Sequence, residues 1–137
     1  MSVDPAIAAR FAAVPVNQHL GFALRSHDAT GAEISFTPRP EHGQEFGVVH
    51  GAVLSALADT AAVYAVLPGL AADERMTSIE FKVNFLAAAR PDGGEIVGRA
   101  TTVRRGRTLA VVRSEVTQGP THVLTGLFTY IVMKAGG

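Results

Sequence analysis

The residues best suited to chemistry lie at the start of one apolar segment, where the sequence runs GVVHGA over residues 47–52 and Asp59 follows. On a helix, the neighbours of Asp59 at three and four positions are small or apolar: Ser55, Ala56, Ala62 and Val63. A carboxylate is poorly tolerated on such a face unless it is paired or hydrogen-bonded. Asp59 is therefore a candidate general base. A purely structural interpretation stays open. In it, Thr60 or a backbone group hydrogen-bonds to the buried carboxylate, or this face of the helix is exposed to solvent.

Gly51, at the first helical turn, offers a second chemical group. The first N–H groups of a helix have no internal partner and carry the positive end of its dipole. Without a side chain at Gly51, a substrate carbonyl oxygen could approach this N–H as in an oxyanion hole; tight packing at the helix start would also require a small residue. His50 could polarise a substrate or anchor the loop. Gln44, six residues earlier, could hold a substrate carbonyl or be an ordinary polar loop residue.

The elements that would position these residues follow from sequence periodicity. Asp4-Pro5 predicts a short helix start. Residues 20–28 and 33–37 flank a turn and predict a hairpin, and a long Pro/Gly-rich loop, 38–47, follows. Residues 50–67 are Ala-rich, end at Pro68-Gly69 and predict a helix that is apolar nearly all round, and hence buried.

The remaining chain predicts four strands. Over residues 76–86 the apolar Ile79, Phe81, Val83 and Phe85 alternate with the polar Ser78, Glu80, Lys82 and Asn84. Three further strands are expected at 95–104, 108–118 and 121–132. The order β-β-α-β-β-β-β predicts an α+β domain in which one antiparallel sheet of five to six strands wraps a long central helix. Residues 1–137 are expected to form one domain, with 1–19 as a helical extension.

Composition excludes several functions. Hydrophobic residues make up 47% of the chain and charged residues 18%, which excludes intrinsic disorder. Twelve basic residues balance twelve acidic ones, so nucleic-acid binding is not expected. There is no Cys, the N-terminus lacks the order of a secretory signal, and polar residues and Pro68-Gly69 interrupt the most apolar stretch, 48–72. A soluble, cytoplasmic protein without membrane segments is therefore expected.

Other motifs are weak or absent. The sequence has no nucleophile elbow, phosphate loop or dinucleotide fingerprint. The five His residues show no metal-ligand spacing, so no metal site is expected. Arg104, Arg105 and Arg107 around Gly106 could grip phosphates or form a solvated hairpin turn.

The combined pattern resembles a known family. GVVHGAVLSALADTA, TSIEFKVNFL and GRTLAVV are similar to segments of hotdog-fold acyl-CoA thioesterases of the phenylacetate-pathway (PaaI-like) type, within the 4-hydroxybenzoyl-CoA thioesterase superfamily. The resemblance covers roughly residues 20–132. Ala52 departs from the second Gly usual in that family, which would narrow the site but spares the Gly51 donor. Gln44 for Asn is a milder variation.

The resemblance implies a role for each matching position. Asp59 matches the carboxylate that activates water or attacks the thioester, and Gly51 matches the backbone donor to the thioester oxygen, with His50 beside it. Gln44 falls near the thioester, and Ser78 falls where some members position the nucleophilic water. The positions that would contact the CoA nucleotide are Arg90, Gly106, Arg107 and Thr108.

The resemblance thus implies an acyl-CoA thioesterase that forms free acid and CoA without a cofactor, and a homotetramer. Helix geometry predicts a dimer at least, because Gly51 and Asp59 are about 12 Å apart along one helix and roughly 80° apart around it. Each site is therefore expected to take Gly51 and Gln44 from one chain and Asp59 and Ser78 from its partner. The acyl group stays open. The alternative is a non-catalytic acyl-CoA-binding hotdog module, which the presence of Asp59 disfavours. A hotdog hydratase ranks last because no His lies close to Asp59 at the helix start.

Overall fold

The computed structural model describes residues 3–136 and contains one long helix and one six-stranded antiparallel sheet. The helices are α1 (Pro5–Ala13), α2 (Pro15–Leu20) and α3 (Gly51–Val66), and two 3₁₀ turns cover Pro40–His42 and Leu67–Gly69. The strands are β1 (Ala23–His27), β2 (Gly31–Phe36), β3 (Glu74–Phe85), β4 (Ile96–Arg105), β5 (Leu109–Gln118) and β6 (Thr121–Lys134). The spatial order of the sheet is β1-β2-β4-β5-β6-β3. The predicted α+β architecture, with its long helix against a single sheet, is confirmed.

Local sequence signals fix the ends of the helices. The Asp4 carboxylate accepts hydrogen bonds from the N–H groups of Ala6 (2.8 Å) and Ile7 (3.2 Å), which caps α1 as Asp4-Pro5 predicts. Helix α2 follows at once, within the segment expected to be a helical extension, and ends at Gly21 in the left-handed conformation (φ 74°). Helix α3 starts where His50 Nδ1 accepts the Ala52 N–H at 2.9 Å.

Helix α3 packs into the concave face of the sheet, and Leu57, Ala58, Ala61 and Ala62 are completely buried there. The helix comes close to β4 because Gly98 has no side chain: a Cβ at that position would lie 3.0 Å from Leu57 Cγ. The sheet does not cover α3 all round. A row of partly exposed residues, which we call the open stripe, comprises Ala52, Ser55, Ala56, Asp59 and Val63.

The segment Gly51–Gly69 is long and apolar enough, by length and composition, to meet the usual criteria for a membrane helix. The strands that pack against it instead mark it as the core helix of this domain.

Strand β3 forms one edge of the sheet and differs from the sequence prediction in its side-chain alternation. A bulge between Ser78 and Glu80 places Ser78 opposite Tyr130 and Phe81 opposite Phe128. Residues directly opposite each other in a sheet project to the same face, so Ser78 shares the helix-facing side with Phe81. The predicted grouping of Ser78 with Glu80 and Lys82 is therefore wrong, because the extra residue, Ile79, shifts the alternation by one.

Candidate active site

Asp59 lies half-buried on the open stripe, and its carboxylate is hydrogen-bonded from the sheet. The Tyr130 hydroxyl donates to Asp59 Oδ1 at 2.6 Å and also lies 3.2 Å from the Asp59 carbonyl oxygen. Thr60, the partner considered in the sequence analysis, bonds instead to the Ala56 carbonyl within its own helix at 2.6 Å. The hydrogen bond that the Asp59 carboxylate needs in its apolar surroundings thus comes from a neutral donor on β6.

Tyr130 is 1% exposed and lies on the helix-facing side of β6 between Phe128 and Val132. Burial, and then the charge of the adjacent Asp59 carboxylate, raise the pKa of the Tyr130 phenol above its ordinary value. Tyr130 therefore stays protonated and can only donate to Asp59. Sequence analysis missed this residue. The available signal was its inward position in β6, because a buried Tyr hydroxyl usually finds a partner.

Ser78 belongs to the same cluster because of the bulge in β3. It pairs with Tyr130 across the ladder and faces the helix side, where it stays exposed in the single chain. Bulges often re-aim a side chain beside a functional site. Asp59, Tyr130 and Ser78 form what we call the carboxylate cluster.

The N-terminus of α3 forms a second group of candidate residues. His50 caps the helix with Nδ1, and its backbone N–H donates to the His42 carbonyl at 2.8 Å. The Gly51 N–H is hydrogen-bonded to no acceptor within residues 3–136. The ring of Phe85 lies against Gly51, where a Cβ would be 3.0 Å from Phe85 Cζ. The Gly51 N–H, without an acceptor in the described part of the chain, thus lies beside the Phe85 ring.

Gln44 sits in the loop that leads to this helix. Its side-chain Oε1 accepts the Phe46 N–H, and its backbone N–H donates to the Val48 carbonyl at 2.9 Å. Both ring nitrogens of the buried His42 are engaged, Nδ1 with the Arg39 N–H at 2.9 Å and Nε2 with the Leu20 carbonyl at 2.9 Å. His42 therefore holds the loop in place. Within the described residues, no group of three or more His, Asp or Glu side chains could hold a metal ion.

Arg90 lies near the same end of the helix. The Val49 N–H donates to the Ala89 carbonyl at 2.9 Å, which ties the start of α3 to the segment before Arg90. The buried Gln118 side chain bonds both the N–H and the carbonyl of Arg90, each at 2.8 Å. The Arg90 side chain is exposed and 3.6 Å from Asp92. Gln44, His50, Gly51 and Arg90 form what we call the amide cluster.

The other predicted nucleotide contacts, Gly106, Arg107 and Thr108, lie in the β4–β5 turn. The Thr108 carbonyl accepts the Val132 N–H at 2.8 Å, two residues from Tyr130. Strand β4 separates this turn from Arg90, and ten strand residues span about 33 Å. One chain therefore places Arg107 on the side of the carboxylate cluster and Arg90 with the amide cluster.

Comparison with known proteins identifies the class. The family model described as Thioesterase superfamily matches residues 46–125, more than half of the chain. This protein therefore belongs to the Thioesterase superfamily, which confirms the family resemblance.

Individual relatives agree with that assignment. A candidate esterase from Deinococcus radiodurans is 38% identical over 88 residues, which cover 64% of this chain and 57% of that protein. A thioesterase family protein from Silicibacter pomeroyi is 26% identical, with a TM-score of 0.85 over 93% of this chain and 95% of its own. A phenylacetic acid degradation-related protein from Ralstonia eutropha JMP134 is 26% identical, with a TM-score of 0.79 over 95% of this chain and 92% of its own. The fold is that of the hotdog thioesterases.

The Asp59–Tyr130 hydrogen bond can be measured through stability. We expect a double-mutant cycle of Tyr130→Phe and Asp59→Ala, followed by urea unfolding at neutral pH, to give a coupling energy of about 1.5–3 kcal/mol, as for a hydrogen bond to a charged group. Thr60→Val is the control, because its hydroxyl bonds within its own helix. Coupling of Tyr130 to Thr60 as large as to Asp59 would contradict the assignment.

Proposed function

We propose that this protein hydrolyses acyl-CoA thioesters to the free carboxylic acid and CoA. The observation that carries the proposal is the half-buried Asp59 carboxylate, held by Tyr130 at 2.6 Å, in a chain of the Thioesterase superfamily. Family membership and the esterase and thioesterase relatives support a hydrolase. The acyl-CoA substrate and the residue roles below are our inference.

The chemistry requires a nucleophile at the thioester carbon. Tyr130 occupies Asp59 Oδ1, so Oδ2 is the oxygen available to the substrate. In one course Oδ2 removes a proton from water as the water oxygen bonds to the carbon; in the other Oδ2 itself bonds to the carbon, and water later cleaves the anhydride. In both, the C–S bond breaks and the CoA sulfur takes a proton. Ser78, which projects to the same face as Tyr130, would hold the attacking water.

The developing negative charge on the thioester oxygen needs a donor. The Gly51 N–H at the positive end of α3, which meets no acceptor among the residues that the structure describes, supplies one. His50 caps the helix start through Nδ1. The side-chain amide nitrogen of Gln44 would hold the thioester from the loop side. These groups belong to the amide cluster.

The two clusters cannot act on the same thioester within one chain. Gly51 and Asp59 are eight residues apart, which is about 12 Å along the helix axis with a rotation of roughly 80°. A nucleophile must lie within about 3–3.5 Å of the carbon whose oxygen the donor binds. Gly51 contacts Phe85, the last residue of β3. Asp59 contacts Tyr130, which pairs with Ser78, seven residues earlier on the same strand. A two-fold dimer with antiparallel α3 helices brings the amide cluster of one chain to the carboxylate cluster of its partner.

The surface of the chain supports such a dimer. The open stripe of α3 lies uncovered beside the edge strand β3, where Ile79, Phe81 and Phe85 are each at least half exposed. Long apolar edge strands are templates for further pairing. In this dimer, Arg90 of one chain and the partner's turn at residues 106–108 flank the same site and would hold the CoA phosphates together.

The direct test is Asp59→Asn. We expect kcat to fall by at least about two orders of magnitude, because the amide cannot act as a base or nucleophile, while the fold persists because Asn still accepts from Tyr130. Release of CoA thiol from a panel of acyl-CoAs is the assay, and Asp73→Asn, on the surface beside Lys134, is the control. Wild-type protein that binds acyl-CoA without releasing thiol would instead be the non-catalytic binding module.

Arg90→Ala or Arg107→Ala should raise KM for acyl-CoA by about three- to tenfold while changing kcat less, since exposed arginine–phosphate contacts are modest and screened by salt. Acyl-pantetheine substrates, which lack the nucleotide, should not respond. Arg99→Ala is the control, because Arg99 is paired with Glu33 on the sheet. Equal effects on both substrate types would assign the two arginines a structural role.

Subunit complementation tests the shared site. Inactive Asp59→Asn and Gln44→Ala chains, denatured and refolded together, should regain activity, because a hybrid dimer holds one site with both lesions and one with neither. Activity should exceed that of either parent refolded alone. Confirmed hybrids that remain as inactive as the parents would rule out the shared site.

A further inference from the structure

Gln118 is the last residue of β5, and its side chain is buried, with 6% exposed, on the same side of the strand as Ser114 and Val116. Its Oε1 accepts the Arg90 N–H at 2.8 Å, and its Nε2 donates to the carbonyls of Arg90 at 2.8 Å and of Gly94 at 3.0 Å. A glutamine amide carries two N–H donors, so both are used here. The buried amide therefore holds the backbone on both sides of the Arg90 Cα.

The turn that Gln118 holds is itself exposed to solvent over residues 90–94. The Gly93 N–H donates to the Arg90 carbonyl at 3.1 Å, which closes the turn. A Cβ at Gly93 would lie 2.7 Å from Gln118 Cδ, so the amide packs directly against the turn. Pro91 in addition restricts the residue before it to extended backbone. The Arg90 side chain thus leaves the backbone from a fixed point in a fixed direction.

The start of α3 is held close to this turn by contacts of its own. The His50 N–H donates to the His42 carbonyl at 2.8 Å, and the Val49 N–H donates to the Ala89 carbonyl at 2.9 Å. Through the Val49–Ala89 bond, the Gly51 nitrogen and the Arg90 Cα lie within about 13 Å of each other.

That separation suits the length of a CoA thioester. The pantetheine arm spans about 16 Å from its sulfur to the first phosphate when extended, and an arginine side chain reaches about 6 Å from its Cα. Arg90 can therefore contact the phosphates of a thioester whose carbonyl oxygen is bound at the Gly51 N–H.

From these contacts we infer that Gln118 is a positioning residue for substrate binding, which holds Arg90 where it meets the CoA phosphates while the thioester lies at Gly51. The inference rests on the proposed function, because it takes CoA as the ligand. A turn that is already held in its binding conformation loses less conformational entropy when the ligand binds. Loss of the Gln118 amide should therefore weaken the binding of ligands that carry the CoA nucleotide.

A purely structural role of Gln118 makes different predictions. If its three hydrogen bonds only stabilise the fold, their loss lowers the melting temperature and either leaves every substrate unaffected or affects all substrates alike. A positioning role instead separates acyl-CoA from acyl-pantetheine, which lacks the nucleotide. The dependence of KM on the type of substrate therefore distinguishes the two roles.

The test is Gln118→Met, which keeps the size of the side chain and removes its three hydrogen bonds. We expect KM for acyl-CoA to rise about three- to tenfold, as for Arg90→Ala, with a smaller change in kcat and no change in KM for acyl-pantetheine. The Arg90→Ala/Gln118→Met protein should have the same KM as Arg90→Ala alone, because Gln118 acts through Arg90.

Asn17→Leu is the matched control. Asn17 is also a buried amide, 3% exposed, and its Nδ2 donates to the Phe11 carbonyl at 3.1 Å, between α1 and α2. Its loss should lower the melting temperature and leave KM for both substrates unchanged. If Gln118→Met does not fold, Gly93→Ala displaces the same amide from the exposed turn and should give the same separation of the two substrates.

The inference is overturned if KM for acyl-CoA does not change, if both substrates respond equally, or if the effects of Gln118→Met and Arg90→Ala multiply. Calorimetric titration with CoA itself follows binding without cleavage. Thioester cleavage by the wild-type protein, with no response to Gln118→Met, leaves the proposed function standing and removes only this inference. A matching loss of CoA affinity in the Gln118→Met and Arg90→Ala proteins, when the wild-type protein cleaves no thioester, removes the hydrolase and keeps Gln118 as a positioning residue.

Discussion

A helix that is apolar nearly all round must be covered on every side, and a single curved sheet covers only part of α3. The strands bury Leu57, Ala58, Ala61 and Ala62, but the open stripe stays partly exposed. Leaving that much apolar surface in water is unfavourable by about 25 cal/mol per Å². The fold therefore favours a second molecule against this face, and Asp59 lies within it.

The placement of Asp59 follows from the same constraint. A carboxylate on a face that a second molecule would cover needs a hydrogen-bond donor from its own chain. Tyr130, 71 residues further along the sequence, supplies that donor. The donor is a neutral phenol, so this contact sets no opposite charge beside the Asp59 carboxylate. The bulge at Ile79 completes the arrangement by turning Ser78 to the same side. The packing of α3 against the sheet and the register of β3 on β6 thus together position the residues of the carboxylate cluster.

Local signals predicted most of the fold. Asp4-Pro5, His50 and Pro68-Gly69 act over a few residues, so the limits of α1 and α3 could be inferred from short segments. The register of β3 could not, because the letters from Met76 to Leu86 alternate without interruption and the bulge arises only from pairing with β6. The Asp59–Tyr130 contact joins residues 71 positions apart, which no local pattern reports. The family resemblance supplied the candidate residues, and the spacing of Gly51 and Asp59 along one helix already separated them into two groups. The Tyr130 donor and the helix-facing side of Ser78 required the structure.

The contact between Phe85 and Gly51 has a consequence for how a chain of this kind would change over evolutionary time. Any side chain at position 51 would press on the aromatic ring, with its Cβ 3.0 Å from Cζ. Packing against Phe85 thus favours glycine at this position whether or not the Gly51 amide meets a substrate. In a related chain, a glycine at the helix start is therefore by itself no sign of catalysis. Asp59 and its donor Tyr130 are the more informative pair, because the packing of α3 against the sheet does not require a carboxylate on the open stripe.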